Sequence, residues 1–196
     1  MTAREPKIIL ASASPRRAEL LFQIGVKFEL VPSQIEERPH PDEAPPDYIT
    51  RIARAKVIAV ARHQEAGLII GADTVVVLDG RLLGKPVDDH DAKSMLKQLS
   101  GRWHAVMTGV ALYDVESRHE VADYEKTLVK FAQLTDREID WYVHTGEPKD
   151  KAGAYGIQGL GGLFVDEIAG NYYNVVGLPI PLVYRLARRL GYAFVK

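Results

Sequence analysis

Two adjacent arginines, Arg16 and Arg17, follow a Ser-Pro pair at the point where a helical pattern begins. Ser14 is typical of a helix N-cap, and Pro15 is typical of the first helical residue. The helix dipole and the free backbone N–H groups make this end of a helix unfavourable for cations unless an anion binds. Because the apolar run 8–10 directly precedes this turn, the strand-loop-helix pattern favours a phosphate site. The alternative is a solvated arginine pair that tolerates the dipole.

A carboxylate, Asp73, interrupts the apolar run 68–78. An ionised carboxylate is costly there without a partner, so the pattern favours a metal ligand or a general base. The alternative is a bend at Gly71 with Asp73 bonded in a local turn. Lys56 lies on the apolar face of a predicted helix, so it must either extend to the surface or pair with an anion. Lys85 follows in a Gly-Lys-Pro turn, either as a surface charge or facing the same cleft as Asp73.

Two further segments hold candidate ligands. Glu36 and Glu37 lie in a proline-rich loop and could bind a hard divalent cation, which prefers carboxylate oxygen. The alternative for both is a solvated acidic loop. Gln158 lies in the glycine-rich stretch 147–159, and its amide offers both a donor and an acceptor, which suits the edge of a nucleotide base. The alternative for this stretch is an irregular loop with ordinary turn glycines.

The composition narrows the class of protein. The 196 residues include 25 Lys and Arg and 26 Asp and Glu, a formal net charge of −1, which does not fit the positive field of a nucleic-acid binder. The absence of cysteine excludes disulfides, a thiolate nucleophile and a cysteine-based zinc site. P-loop, Rossmann and nucleophile-elbow motifs are missing, and the histidines lack metal-ligand spacing. Without a signal-peptide core at 1–7 or an apolar run of membrane length, we expect a soluble cytoplasmic protein with no membrane or nucleic-acid partner.

Hydrophobic periodicity predicts a mixed α/β fold. A capping box formed by Thr135 and Glu138 marks the beginning of one helix. The predicted strands are 7–11, 27–31, 68–78, 103–115, 120–134, 163–168 and 172–176. The predicted helices are 15–24, 46–66, 89–99, 135–144 and 179–190. The pattern therefore predicts an α/β protein, arranged as two lobes around a cleft.

Taken together, these segments resemble the Maf family of nucleoside triphosphate pyrophosphatases. The matching stretches follow the family's order and are 12–17, 71–75, 84–86, 99–101, 108–110, 147–159 and 175–179. The resemblance implies a single Maf-like pyrophosphatase domain over residues 1–196. It also implies a homodimer and an elongated mixed sheet flanked by helices, with two lobes around a central cleft, similar to inosine triphosphate pyrophosphatases.

The activity that the resemblance implies is hydrolysis of a nucleoside triphosphate to the monophosphate and pyrophosphate, by water attack at the α-phosphorus. It implies a divalent metal, Mg²⁺ or Mn²⁺, held by Glu37 and Asp73, with Asp73 also as the catalytic base. The choice of Glu37 over Glu36 rests on the family pattern. The substrate-binding residues that it implies are Ser12, Arg16, Arg17, Lys56, Thr74, Lys85 and Gln158.

The form of the motif at 155–159, Tyr-Gly-Ile-Gln-Gly, resembles the branch of the family that acts on dTTP and UTP. The branch that acts on 7-methyl-GTP typically has an acidic residue in place of Gln158. Arg16 and Thr74 also match positions that the family links to this choice. For an enzyme of the dTTP and UTP branch, the resemblance also implies removal of non-standard nucleotides. Three alternatives stay open: an enzyme for 7-methyl-GTP, an enzyme for modified pyrimidine triphosphates, and a non-catalytic nucleotide-binding regulator of cell division.

Overall fold

Seven strands in the described part of the chain form one mixed sheet. The computed structural model describes residues 7–194; residues 1–6, where the sequence predicts no signal peptide, and residues 195–196 lie outside the described part. The strands are β1 (Ile8–Leu10), β2 (Glu29–Leu30), β3 (Leu68–Leu78), β4 (Arg81–Leu83), β5 (Trp103–Asp114), β6 (His119–Phe131) and β7 (Val165–Ala169). Their order is β2-β1-β3-β5-β6-β7, and β4 pairs with β3. The predicted α/β class is therefore confirmed.

Six α-helices accompany the sheet in the described residues. They are α1 (Pro15–Gln23), α2 (Pro45–Ala61), α3 (Asp89–Leu99), α4 (Asp136–His144), α5 (Tyr172–Val176) and α6 (Ile180–Arg189). Short 3-10 turns lie at Glu147–Asp150, Ala152–Ala154 and Leu160–Phe164. The capping box begins α4 as predicted, because Thr135 N donates to Glu138 Oε2 at 2.7 Å and Glu138 N donates to Thr135 Oγ1 at 3.3 Å.

The parallel part of the sheet begins with β1, whose three apolar residues are all buried. β1 pairs in parallel with β2 and with β3, so Ile9 lies opposite both Glu29 and Ile69. Continuous apolar sequence is what strands buried on both faces require. β3 continues into the antiparallel β4 through Asp79 and Gly80. Both turn residues have positive φ, 50° and 77°, as tight hairpin turns demand.

The chain forms two compact units. The first contains the described residues up to Asp73, Thr108–Glu125 and the described residues from Gly177 onward. The second contains Thr74–Met107 and Lys126–Val176. Each unit has its own hydrophobic core. Buried core residues of the first unit include Ile9, Ala53, Val57, Val60, Ile69 and Ala111. Those of the second unit include Val76, Leu96, Leu99, Phe131, Tyr142 and Phe164.

In the first unit α2 lies directly against the sheet, because two glycines leave no side chain between them. A Cβ on Gly71 of β3 would lie 2.9 Å from the carbonyl oxygen of Ala53. A Cβ on Gly109 of β5 would overlap the carbonyl group of Ile49. This close packing places Lys56, which follows on the same helix, against β3.

The predicted strand at 172–176 is wrong, because these residues form the helix α5. Asn171 Oδ1 accepts a hydrogen bond from Asn174 N at 3.2 Å, which caps the beginning of this helix. The buried side chain of Asn174 donates to Val106 O at 2.9 Å and to Thr127 Oγ1 at 3.0 Å. These tertiary bonds override the strand preference of the aromatic and β-branched residues in this segment.

The second difference is the end of α2, which lies at Ala61 rather than at residue 66. The following Gly67 has a φ of 119°, and Leu68 N donates to Lys7 O at 2.8 Å, so this segment already enters β3. Among the described residues, no helix has both the length and the apolar character needed to cross a membrane.

Candidate active site

The loop between β1 and α1 is organised around the hydroxyl of Ser12. Its Oγ accepts hydrogen bonds from Ser14 N at 3.1 Å and from Arg17 Nη1 at 3.3 Å. Arg17 Nε donates to the carbonyl oxygen of Gly177 at 2.8 Å. Pro15 is the first residue of α1, as predicted, and the first turn contains no acidic residue. The beginning of α1 therefore presents positive charge without an acidic neighbour in its own turn.

Arg17 is not a solvated cation, because only 9% of its surface is exposed. Burial lowers the pKa of the Arg17 guanidinium, and the negative charges of Asp73 and Glu37 act in the opposite direction. The neighbouring Arg16, which is half-buried, lowers the pKa of Arg17 further by like-charge repulsion. Two cations at the positive end of a helix, one of them buried, make a site where an anion is favourable.

A buried lysine joins the two carboxylates that the sequence predicts as metal ligands. Lys56 Nζ donates to Asp73 Oδ1 at 2.8 Å and forms an ion pair with Glu37 Oε1 at 2.9 Å. It also donates to Ala72 O at 3.3 Å. Lys56 is 5% exposed and Asp73 is 6% exposed, so the lysine pairs with anions rather than extending to solvent. A paired and buried carboxylate of this kind is suited to holding a cation or accepting a proton.

Comparison with known proteins identifies the family of this chain. The model of the Maf-like protein family matches residues 7–190. The chain belongs to the Maf family. Relatives named dTTP/UTP pyrophosphatase in Syntrophomonas wolfei, Geobacter sulfurreducens and Bacillus cytotoxicus are 50%, 51% and 52% identical to it. These alignments cover 93%, 94% and 94% of this chain and 96%, 97% and 94% of the relatives.

A likeness also exists among solved structures. The structure of the Staphylococcus aureus Ham1 protein aligns with a TM-score of 0.46 and 14% sequence identity. The alignment covers 64% of this chain and 72% of the Ham1 chain.

In this Maf protein the structure distinguishes the two neighbouring glutamates. Glu37 pairs with the buried Lys56, whereas Glu36 pairs with Arg38 at 2.9 Å through side chains that are 71% and 83% exposed. Tyr48 OH donates to Glu37 O at 3.3 Å, which ties the loop to α2. Burial raises the pKa of Tyr48 to about 12, so this phenol keeps its proton at neutral pH. Glu37, and not Glu36, is therefore the glutamate that contacts Lys56, which also pairs with Asp73.

Sequence reasoning missed a second tie between this loop and α2. Arg51 Nε and Nη2 donate to the two carboxylate oxygens of Glu43, each at 2.6 Å. Arg51 Nη2 also donates to Arg38 O at 2.9 Å. This bond to Arg51 lowers the pKa of Glu43 to about 2. The bidentate pair holds the segment next to Glu37, and a loop without periodicity gives no sequence signal for it.

The remaining predicted residues, Thr74, Lys85 and Gln158, lie in the second unit. Thr74 is half-buried and directly follows Asp73 on β3. Lys85 is exposed, and the carbonyl oxygen of the preceding Gly84 accepts from Gly153 N at 3.0 Å. Gln158 is also exposed. The turn with Lys85 is thus bonded to the glycine-rich segment that contains Gln158, whereas Ser12 and the other predicted residues belong to the first unit.

Glu37 and Asp73 offer carboxylate oxygens, the ligand type that a hard divalent cation prefers. Among residues 7–194, no three His, Cys, Asp or Glu side chains are grouped as a complete metal site. Glu37 and Asp73 nevertheless hold one cationic nitrogen, Lys56 Nζ, between their carboxylates. Mg²⁺ is usually bound by one or two carboxylates, with water and substrate phosphates as further ligands. The number and type of these ligands are those of such a site, and their contact with Lys56 shows that both carboxylates face a common cation.

Proposed function

We propose that this Maf protein hydrolyses dTTP and UTP to the nucleoside monophosphate and pyrophosphate. The names and the near-complete alignment of relatives about 50% identical to it support this reaction and this substrate class. The observation that carries the proposal is the buried Lys56, which binds both Asp73 and Glu37. Family resemblance further supports a cytoplasmic homodimer that acts on free nucleotides, without membrane or nucleic-acid partners.

Asp73 is the general base of the proposed reaction. Its Oδ1 is bonded to Lys56, so we assign proton acceptance from the attacking water to Oδ2. The water oxygen forms a bond to the α-phosphorus, and the bond from this phosphorus to the oxygen bridging toward the β-phosphorus breaks. The proton goes to Asp73, and pyrophosphate leaves with the bridging oxygen. A positioned general base contributes about 10²–10⁴-fold to such a step.

Glu37 and Asp73 are the residues that we propose to hold a divalent metal, Mg²⁺ or Mn²⁺. The metal would supply Lewis-acid charge to the phosphate oxygens. The substitution of either carboxylate by its amide removes an anionic ligand and is expected to weaken metal binding. Tyr48 and Arg51 keep the loop of Glu37 against α2, so they act on this ligand indirectly.

The residues that bind the phosphate groups of the substrate include three cations, Arg16, Arg17 and Lys85. Arg16 lies at the beginning of α1, where the helix dipole adds to its charge. Arg17 is buried with its guanidinium fixed by Ser12 and Gly177, so it contributes a preorganised charge. Lys85 is an exposed point charge in the second unit, and its assignment to a phosphate rests on the family resemblance.

Gln158 and Thr74 are the proposed determinants of the base. The edge of uracil or thymine offers carbonyl acceptors around one N–H donor, and a glutamine amide can satisfy both kinds of group. An acidic side chain at position 158 would offer acceptors alone. Gln158 therefore supports the pyrimidine branch over 7-methyl-GTP.

The test is the release of pyrophosphate from a panel of nucleoside triphosphates with Mg²⁺ or Mn²⁺, by the wild type and by Asp73→Asn. We expect turnover of dTTP and UTP that falls at least about 100-fold in the variant. Asp166→Asn is the matched control, because Asp166 is an exposed residue of β7. Circular dichroism and nucleotide binding test whether Asp73→Asn is folded, since removal of one partner of a buried ion pair lowers stability.

Each outcome of this panel decides one part of the proposal. Near-normal turnover in folded Asp73→Asn would remove Asp73 as the base. Turnover of 7-methyl-GTP alone would keep the reaction and overturn the role of Gln158. Nucleotide binding without turnover of any triphosphate by the wild type would favour a non-catalytic regulator.

A further inference from the structure

We propose that Glu147 is a positioning residue for base selection, because its carboxylate holds the turn that presents Gln158. The inference rests on the proposed function, since it assigns Gln158 to the base of a pyrimidine nucleotide. It adds a residue that touches no substrate and acts through the backbone of the glycine-rich segment. All of the contacts that support it lie within the second unit.

Gln158 occupies the apex of a tight turn. The N–H of Gly159 donates to the carbonyl oxygen of Gly156 at 3.3 Å, which closes a β-turn with Ile157 and Gln158 as its central residues. The next bond along the chain, from Gly162 N to Gly159 O at 3.1 Å, continues into the following 3-10 turn. The side chain of Gln158 is therefore exposed on a short segment whose backbone must be fixed from outside the turn.

Glu147 fixes the backbone that follows the turn. Its Oε2 accepts from Leu160 N at 2.9 Å, and its Oε1 accepts from Gly161 N at 3.1 Å. Oε1 also accepts from Tyr142 OH at 2.9 Å, and the same hydroxyl oxygen accepts from Gly156 N at 3.2 Å. One carboxylate thus holds the end of the turn directly and its beginning through Tyr142.

Burial keeps the hydroxyl of Tyr142 protonated, so it can always donate a hydrogen bond to Glu147. Tyr142 is fully buried, and burial raises its pKa above the ordinary range, so the phenol stays protonated and donates to Glu147. Hydrogen bonds to an ionised carboxylate are shorter and about twice as strong as neutral ones. The carboxylate of Glu147 therefore fixes three separate donors more firmly than a neutral amide would.

Two glycines of the segment lie directly against the Glu147 carboxylate and the Tyr142 hydroxyl. A Cβ on Gly159 would lie 2.5 Å from both carboxylate oxygens of Glu147. A Cβ on Gly161 would lie 2.6 Å from Tyr142 OH. The backbone next to Gln158 therefore contacts the Glu147 carboxylate and the Tyr142 hydroxyl without intervening side chains. A change in the carboxylate should shift the position of the turn directly.

The carboxylate of Glu147 stabilises the turn at Gln158 rather than the hydrophobic core. The residue is half-buried, and its carboxylate bonds are made to two backbone amides of the segment and one buried hydroxyl. Its carbonyl oxygen accepts from Lys151 Nζ at 2.7 Å, a bond that any residue at this position could make. Since a specificity contact requires its support to be fixed to about 0.5 Å, loss of the carboxylate should disturb recognition of the base first.

The test compares Glu147→Gln with wild type through kcat/KM for UTP and for CTP. The amide keeps the size of the side chain but replaces an acceptor oxygen with a donor NH₂ that opposes one of the three donors. We expect the UTP preference to fall about tenfold, mainly through a higher KM for UTP. Glu167→Gln, an exposed glutamate on β7, is the matched control and should keep the wild-type ratio.

A double-mutant cycle with Gln158→Ala separates positioning from a general loss of structure. If Glu147 acts through Gln158, Glu147→Gln should cause no further loss of the UTP preference in the Gln158→Ala background. An equal further loss there, or an unchanged preference in the single variant, would overturn the inference. Tyr142→Phe gives a second route, with a smaller loss expected, if Glu147→Gln does not fold.

The same experiment distinguishes this inference from the proposed function. A wild-type enzyme that hydrolyses neither UTP nor dTTP would end both. A wild-type enzyme that prefers UTP, together with a folded Glu147→Gln variant of equal preference, would end only the role of Glu147.

Discussion

At the scale of single residues, the candidate chemistry depends on charges that are buried. Lys56 and Asp73 form a buried ion pair, to which Glu37 adds a second carboxylate. Such a pair adds little net stability, although removal of one partner alone costs about 3–5 kcal/mol because the other charge stays buried. Stability therefore gives little reason for this arrangement, whereas proton transfer needs a carboxylate in a fixed place.

A different buried group, His104, should make the stability of the protein depend on pH. Burial lowers the pKa of His104 from 6.5 to about 4, and its Nε2 is 2.8 Å from the buried Tyr155 OH. Between these values the unfolded chain binds a proton that the folded chain does not. The free energy of unfolding should therefore fall as the pH drops from about 6.5 to about 4, by about 3 kcal/mol from this group.

The measurement is urea unfolding at several pH values for wild type and His104→Phe. The variant loses its bond to Tyr155, so it should be less stable at pH 7 but show a smaller loss on acidification. His63→Gln is the control, because His63 is exposed and the substitution should keep the wild-type slope. Titration of the His104 imidazole near pH 6.5 in the folded protein, followed by NMR, would contradict the prediction.

The sequence predicted that these residues need charged partners, but it did not predict which partners they have. An apolar setting indicated that Asp73 and Lys56 need opposite charges, but 17 positions separate them, and only the packing of α2 on β3 joins them. For a related reason, the pairing of Arg51 could not be predicted from the sequence. Its partner Glu43 lies in a loop without periodicity, so the exposed face of the helix gave no sign of the bond.

At the scale of elements, the distance from α2 to the sheet determines where Lys56 lies. Gly71 and Gly109 allow the backbone of the helix to touch β3 and β5. The carbonyl of Ile49, which a Cβ on Gly109 would meet, belongs to the helix backbone and cannot rotate away. The glycines therefore set the position of a residue that is far from them in sequence.

Gly109→Ala should push α2 away from the sheet. Overpacking of this kind typically costs about 1–3 kcal/mol, and we expect the upper half of this range because the neighbour is backbone. The value of kcat/KM for UTP should fall as well, since Lys56 moves relative to Asp73. Gly84→Ala is the control for stability, because a Cβ there meets nothing within 4 Å and its φ is not positive. Equal urea midpoints for Gly109→Ala and wild type would contradict this account.

Elements were predictable where local signals agreed with the tertiary structure. The capping box of α4 and the turn at Asp79 and Gly80 are complete within a few residues, so the sequence specifies both. The segment 172–176 was mistaken for a strand because the bonds of Asn174 to Val106 and Thr127 decide its conformation. Those partners are 68 and 47 positions away, beyond the reach of any local pattern.

At the scale of the whole molecule, the charge of the protein is almost neutral, so attraction of an anionic nucleotide must be local. A formal charge of −1 gives no long-range attraction for a triphosphate. We expect Arg16 and Arg17 at the beginning of α1 to supply this local positive potential, because Lys56 is already paired with two carboxylates. The sequence predicted two lobes in an α/β protein, and the structure has two compact units. That single strands are divided between the units was not predicted.

The connection of the two units leads to a prediction about cooperativity. Each unit consists of separate chain segments, and β3, β5 and β6 each contribute residues to both. Loss of one unit would therefore interrupt these three strands within their length. We expect a single cooperative unfolding transition, as small domains show.

The tryptophans make this prediction measurable. Trp103 and Trp141, the two tryptophans of the sequence, both lie in the second unit, so their fluorescence reports on that unit, whereas far-UV circular dichroism reports on the whole chain. The urea midpoints from the two probes should coincide. Gly109→Ala, which acts in the first unit, should shift both midpoints equally, because a cooperative chain transmits the loss. A shift in circular dichroism with an unchanged fluorescence midpoint would show instead that the units unfold separately.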